Sequence, residues 1–260
     1  MNEITKRPMI SILMAVYNTE EFLPTAIDSV IEQTYGQWEL ICVNDGSTDN
    51  SLRLLNQYKG KDPRIIVIDR PHCGTCAGTR NTGLAIARGT YITILDSDDK
   101  IEPTYLEKLV TRQQQTQADI VISSLCFWDY LNNKIYGSLT GLRGDVCKIL
   151  SGRESFTLSL HWQIGGIGLH RADILKQLTY NEIGWVGDEY TTHLLFLRAS
   201  RVAFCNANYF YRNNPNSITK KFSFKNFSIV TTQAMLLTLI RKNNFKGRFF
   251  WAYKEEVFLS

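Results

Sequence analysis

Three carboxylates stand within four residues, at Asp96, Asp98 and Asp99, directly after the apolar run Tyr91 to Leu95. Like charges this close repel one another, and a hard divalent cation held by carboxylate oxygens relieves the repulsion. A second acidic pair, Asp188 and Glu189, opens a helical pattern that runs to Arg198. The helix macrodipole favours an anion at that end. Asp188 reads equally well as a plain helix N-cap. Two further polar clusters follow apolar runs: Ala15 to Asn18 after the first, and Asn44 to Asp49 (NDGSTD) after the second. NDGSTD alone has the composition of an ordinary turn.

The elements that must position these clusters repeat one rhythm. Ile10, Ile12, Leu13 and Val16 predict a buried strand, and Phe22, Leu23, Ile27, Val30 and Ile31 recur at helical offsets, with Pro24 confined to the first turn. Leu40 to Val43 predicts the second strand, and Ser47 or Thr48 can cap a helix carrying Leu52, Leu54 and Leu55. Ile65 to Ile68 is a third strand, Ala77 to Ala87 a helix closed by Gly89, and Tyr91 to Leu95 a fourth strand. Alternating βα units predict an α/β fold with a mostly parallel central sheet, whose ligands lie beyond the carboxyl ends of the strands. All the polar clusters of this first half fall at those ends. Beyond residue 100 the rhythm changes. A helix is expected over Pro103 to Gln115, a strand at Ile120 to Ser123, and shorter aromatic segments from Cys126 to Gly168 as a mixed half. After the GDEY helix, two strands are expected, at Val202 to Phe204 and Tyr209 to Arg212, then an amphipathic helical stretch from Lys220.

With 44% hydrophobic residues over 260 positions and only 17 Gly and 6 Pro, the chain is neither disordered nor low-complexity. No apolar stretch approaches the roughly 20 residues of a membrane span, and the first residues lack a signal-peptide core, so a cytoplasmic location is expected. Six cysteines are then expected reduced. Cys73 and Cys76 form a lone CxxC with no second pair for zinc, which reads as a loop. A net charge of +4 gives no case for nucleic acid. The charge is uneven, however: residues 220–260 carry eight Lys and Arg against two Glu. There Phe245, Phe249, Phe250 and Trp251 interleave with Lys242, Lys246 and Arg248, which suits the face of an anionic bilayer; a packed terminal helix is the alternative.

The stretches SILMAVYNTEEFLPTAIDSVIEQTY, WELICVNDGSTDNS and TRNTGLAIARGTYITILDSDD together resemble the family 2 glycosyltransferases of the GT-A fold, from Ile10 to about Leu106. A weaker similarity continues through GDEYTTHLLFLRASRVAF and YFYRNNPNSIT to Thr219. The resemblance implies a Rossmann-like αβα sandwich over residues 1–219, with 220–260 as a basic, aromatic extension. It also implies transfer of a sugar, with inversion, from a nucleotide diphosphate donor, most readily a UDP-sugar. The acceptor would be a hydroxyl of a glycan or lipid-linked glycan. Carried over residue by residue, Ala15, Tyr17, Asn18 and Asp45 would hold the uracil end, and Arg80 would lie near the nucleotide, where a guanidinium offsets phosphate charge. Asp96 would meet ribose, Asp98 and Asp96 would hold Mn²⁺ or Mg²⁺, and Asp188 would be the base.

The sequence departs from the family pattern at Ala15, where Pro is common, and at Gly187, where Glu is usual; Glu189 would then supply any second carboxylate. HCGTCAGT before Arg80 also differs. His161, His170 and His193 are candidates for a third metal ligand, and Trp162, His170 and Trp185 for acceptor contacts. Two other readings stay open: a sugar-nucleotide-binding module without catalysis, and a nucleotidyltransferase. The latter expects a Gly-rich basic loop after the first strand, and AVYNTEE has neither feature.

Overall fold

The computed structural model describes residues 8–183, 187–213 and 228–245. Strand β1 (Ile10–Val16) is apolar on both faces because both are covered, and it pairs in parallel with β2 (Trp38–Asp45) and β4 (Tyr91–Ile94). Strand β3 (Ile65–Arg70) adds in parallel beside β2. The connecting helices are α1 (Leu23–Ile31), α2 (Ser51–Lys59) and α3 (Cys76–Ile86). Pro24 occupies the first turn of α1, where a missing N–H costs nothing. Helix α2 departs from expectation: neither Ser47 nor Thr48 caps it. Ser47 Oγ instead accepts from Asn18 N, Thr48 N donates to Asn18 Oδ1, and Asp49 accepts from Ser51 N.

The second half comprises β5 (Lys100–Ile101), α4 (Tyr105–Thr116), β6 (Ile120–Asp129), β7 (Lys134–Leu139), β8 (Ile149–Ser151) and α5 (Gly152–Ser159). Then follow β9 (Gly168–Arg171), α6 (Ala172–Leu178), α7 (Gly187–Arg198), β10 (Arg201–Arg212) and α8 (Ser228–Lys242). Among the described residues one sheet runs β3-β2-β1-β4-β9-β6-β10-β5, with β7 beside β6 and β8 beside β10. Strand β9 enters antiparallel between β4 and β6. The two strands expected after α7 are one: β10 absorbs a register shift between Phe204 and Asn208 and continues beside β6. That continuation carries Tyr209 and Arg212 to the segment after β4.

One face of the sheet packs Leu23, Ile27, Leu55, Tyr105 and Leu109 from α1, α2 and α4 against Ile10, Ile12 and Met14. The other packs Leu84, Phe156, Phe196, Leu236 and Ile240 from α3, α5, α7 and α8 near Leu13 and Ile41. The result is the αβα sandwich expected from the sequence. Gly152 lets the start of α5 abut the end of α7, since a Cβ there would lie 1.9 Å from the Ala199 carbonyl oxygen. Phe245, just past α8, is buried with its ring 5.0 Å from that of Phe156 and the Arg153 guanidinium 3.6 Å above it. This ring, offered by the sequence to a bilayer, belongs to the interior. Lys246, Arg248, Phe249, Phe250 and Trp251 lie outside the described residues. Among the described residues no helix is long and apolar enough to cross a membrane.

Candidate active site

The loops after β1 and β2 are joined to each other before they can meet any ligand. Asn18 takes a left-handed backbone (φ 52°) and its amide oxygen accepts from Thr48 N at 2.7 Å. Thr19 N donates to Ser51 Oγ, Glu20 N to Asp49, and Asn50 N to Glu20 in return. NDGSTD is therefore a fixed ledge, and Asn18 is one of its ties. Ala15 lies within β1 opposite Val43.

Asp45, at the end of β2, is buried and clasped by the loop after β3. Cys73 N donates to Oδ1 at 3.0 Å, Gly74 N donates to Oδ2 at 3.2 Å, and His72 Nδ1 lies 2.8 Å from Oδ2. Gly46 allows this approach: it is left-handed (φ +69°), and a Cβ there would lie 2.9 Å from the His72 backbone nitrogen. Burial pushes the Asp45 carboxyl up, but the Cys73 and Gly74 donors and the His72 ring outweigh burial and hold it below its ordinary value. A depressed folded value means that this clasp is at full strength above the unfolded carboxylate value, about pH 4, and is lost as pH falls through the folded one. Exchange protection of the Gly74 amide should therefore decline in acid, and Asp45→Asn should abolish that decline. Protection unchanged between about pH 6 and pH 3 would contradict the clasp. The His72 ring also stacks on Tyr17, centroids 4.3 Å apart at 24°. Tyr17 is 40% exposed, so this pair presents an aromatic edge above Asp45, of the kind on which a flat heterocycle stacks. Sequence reasoning missed His72, Cys73 and Gly74. Their signal lay in the segment that departs from the family wording.

After β4 the chain turns through Asp96 to Asp99. Asp99 is buried beneath the turn, accepting from Tyr209 Oη at 2.8 Å and from Arg212 N at 2.8 Å. Asp96 N donates to the same Tyr209 hydroxyl at 3.1 Å, and Arg212 Nε donates to the Asp98 carbonyl. The Arg212 guanidinium sits 4.5–4.7 Å from the rings of Phe22, Trp128 and Tyr130. Tyr209 and Arg212 thus brace the acidic turn from β10, a long-range relation with no local sequence signal. Burial first, then the charges of Asp96 and Asp98, push the Asp99 carboxyl well above its ordinary value. Asp99 is a strut within the turn, whereas Asp96 and Asp98 are partly exposed.

Arg80, in α3, is the unexpected element. Its Nη2 donates to Asp96 Oδ1 at 2.7 Å and its Nη1 donates to Asp188 Oδ2 at 2.9 Å, 108 residues along the chain. The Arg80 side chain is 8% exposed and each carboxylate 37%. Burial opposes the guanidinium charge, but Cys76, Asp96 and Asp188 outweigh it and keep the group protonated. Arg80, expected near the nucleotide, has both outer nitrogens paired with carboxylates. Asp188 stands in the first turn of α7 as expected, and Thr192 Oγ1 donates to its carbonyl. Glu189 faces away toward His193, with Oε1 3.8 Å from Nε2.

The histidines do not supply a further metal ligand. His170 is buried in β9, bonded to the Gly166 carbonyl, and pushed down to about 4 by burial. His193 is buried against Ser159 Oγ at 2.8 Å. His161 is half-buried in the turn after α5. Among the described residues no three His, Cys, Asp or Glu side chains converge as a metal site. Asp96 and Asp98 offer hard oxygen donors only, which fits Mg²⁺ or Mn²⁺ held by one or two carboxylates and completed by substrate phosphates and water. All six cysteines are free, and Cys73 and Cys76 form no zinc site. For the acceptor side, burial removes His170, Trp162 is exposed, and Trp185 lies outside the described residues.

The chain is 32% identical to the glycosyltransferase GlyG of Streptococcus pneumoniae over 82% of its own length and 73% of GlyG's. The structure of S. aureus TarS 1-349 in complex with UDP-GlcNAc superposes with a TM-score of 0.76, over 89% of this chain and 66% of that one, at 18% identity. The mannosyltransferase PcManGT from Pyrobaculum calidifontis, in complex with GDP-Man and Mn²⁺, superposes at a TM-score of 0.62 and 15% identity, over 98% of this chain and 70% of that one. The family described as Glycosyl transferase family 2 matches residues 11–178, so the chain belongs to the family 2 glycosyltransferases.

Proposed function

We propose that the chain is an inverting, metal-dependent glycosyltransferase that moves a sugar from a nucleotide diphosphate donor, a UDP-sugar, to a hydroxyl of a glycan or lipid-linked glycan. The observation that carries this reading is the single guanidinium of Arg80 joining Asp96 to Asp188. It brings a donor-side carboxylate and a base-side carboxylate from distant segments to one spot. A binding module does not need the second carboxylate there, and AVYNTEE lacks the Gly-rich basic loop with which a nucleotidyltransferase grips a triphosphate.

In this reading Tyr17 and His72 pack on the nucleobase, while Asp45 holds their loop and faces the base edge. Asp96 and Asp98 hold Mg²⁺ or Mn²⁺, which when bound offsets the charge of the diphosphate. Asp188 accepts the proton of the acceptor hydroxyl as its oxygen forms the new bond to the anomeric carbon. The carbon–oxygen bond to the diphosphate breaks on the opposite side, and the bonding pair leaves with the nucleotide, so the configuration inverts. Arg80 keeps Asp188 oriented through this displacement. The UDP-GlcNAc complex of the superposing TarS chain supports a UDP-sugar donor, and the Mn²⁺ of PcManGT supports a cation.

Calorimetry with UDP, with and without Mn²⁺, tests the donor half. Wild-type protein should bind UDP at least about tenfold more tightly with the cation, and Asp98→Ala should lose that increment while keeping the cation-free affinity. Cation-independent binding by the wild type would remove the metal from the proposal.

A further inference from the structure

Arg80 sits on a carboxylate that the cation of the proposed reaction would use. Its Nη2 donates to Asp96 Oδ1 at 2.7 Å while its Nη1 donates to Asp188 Oδ2 at 2.9 Å, so one carboxylate of the acidic turn is neutralised from within the chain. The other acidic residue also has a guanidinium beside it: Arg212 Nε donates to the Asp98 carbonyl, and the Asp98 charge acts on the Arg212 group. A divalent cation that approaches this turn alone therefore meets two fixed positive charges. Even on the second oxygen of Asp96 it would stand about 5 Å from the Arg80 fork, by ordinary cation–oxygen and N–H···O lengths. The Arg80 side chain is 8% exposed, so water screens little of that repulsion. A lysine or histidine could relieve it by losing a proton, whereas a guanidinium keeps its charge and can only move.

The contacts of Arg80 leave it a way to move. Its Nε is buried with no hydrogen-bond partner among the described residues, and the Tyr180 ring lies 5.8 Å from the guanidinium carbon. Among the described residues, hydrogen bonds hold the head group only at its two carboxylates. If Asp96 is drawn off, the Asp188 bond remains as a pivot and Nη2 is released. A diphosphate is a fitting acceptor for the released N–H groups, since guanidinium and phosphate oxygens form strong charge-assisted pairs. A nucleotide diphosphate thus offers Nη2 a new partner as Asp96 gives up the old one. A free cation offers it none.

We propose that Arg80 is a latch on the metal position: it keeps a free divalent cation off Asp96, and the site takes its cation only together with a nucleotide diphosphate, whose phosphate receives the displaced guanidinium. The proposal rests on the assignment of the cation to Asp96 and Asp98 made above. Its own content is the order of occupancy, which can be measured on the protein without turnover.

The first measurement is Mn²⁺ binding with no nucleotide present, read from loss of the free-ion electron paramagnetic resonance signal. Arg80→Met should bind Mn²⁺ at least about tenfold more tightly than the wild type, because Asp96 and Asp188 are then freed as hard oxygen donors. Arg80→Gln, uncharged and polar, should show the same gain, which keeps the test open if methionine prevents folding. Arg80→Met combined with Asp96→Asn should return to the wild-type affinity or below. By linkage, the factor by which Mn²⁺ tightens UDP should be smaller in Arg80→Met than in the wild type. Mn²⁺ binding by the folded single variants no tighter than by the wild type overturns the latch, as does a gain that survives Asp96→Asn. If the wild type takes up no Mn²⁺ with UDP present beyond what UDP binds by itself, the metal-dependent reading falls and the latch with it. Uptake with UDP but no gain in the variants removes the latch alone.

Discussion

Asp188→Asn is expected to lower the turnover of glycosyl transfer by roughly 10³-fold, in the range lost when a general base is removed, with UDP affinity held within a small factor. The amide keeps the shape of the side chain and an oxygen that can still accept from Arg80 Nη1, now 2.9 Å away. What it loses is the ability to take a proton. The donor loops around Asp45 and Asp96 make no bond to the Asp188 side chain other than through Arg80, so nucleotide binding has no reason to suffer. Turnover with a nucleotide sugar and calorimetry with UDP check the two halves separately. If both fall together, Asp188 belongs to the donor site and not to the base.

Arg80→Met should be nearly as damaging to turnover, by about 10²-fold or more, because a shift of about 1 Å in a reacting group is enough for that. Methionine fills similar space without the fork. Asp96 and Asp188 would then face each other with no cation between them, two like charges that now repel. Both are 37% exposed, so water screens much of the cost and the loss of stability should be modest, about 1–2 kcal/mol. A large fall in activity with a small fall in melting temperature is therefore the signature of the bridge. Arg80→Lys should recover part of the activity, since one ammonium offers charge but cannot span both carboxylates as the planar fork does. Wild-type turnover in Arg80→Met would show that the bridge is incidental.

The first four strands and three helices were legible because each apolar run is continuous in sequence and bounded by its own turn. The same locality put Asp45 and Asp96 at strand ends, and α7 behind Asp188. What escaped was non-local. Nothing near Arg80 announces that its partners are carboxylates from two other segments, since the chain between them is long and the pairing is set by how α3 and α7 cross. Cys73 and Gly74 read as a loop of odd wording, and their work is backbone donation to Asp45, which leaves no mark on side-chain chemistry. Strand β10 read as two because its middle, Cys205 to Ala207, breaks the pairing with β6 for three residues before the register resumes. The mixed half was foreseen only as a mixture, because pairing order in antiparallel segments depends on contacts far apart in sequence.

Strand β9 also sets the order in which the chain can be completed. It is short, it comes late, and it fills the gap between β4 and β6 from the opposite direction. Until residues 168–171 have emerged during synthesis, β4 presents an open row of backbone donors and acceptors with no neighbour on that side. Such an edge invites pairing with other chains. The loops after β1, β2 and β3 can take shape early, while Asp188 arrives only after β9 has sealed the sheet. A nascent chain therefore acquires the two halves of its chemistry at different times, and protection of that edge is the step that separates them.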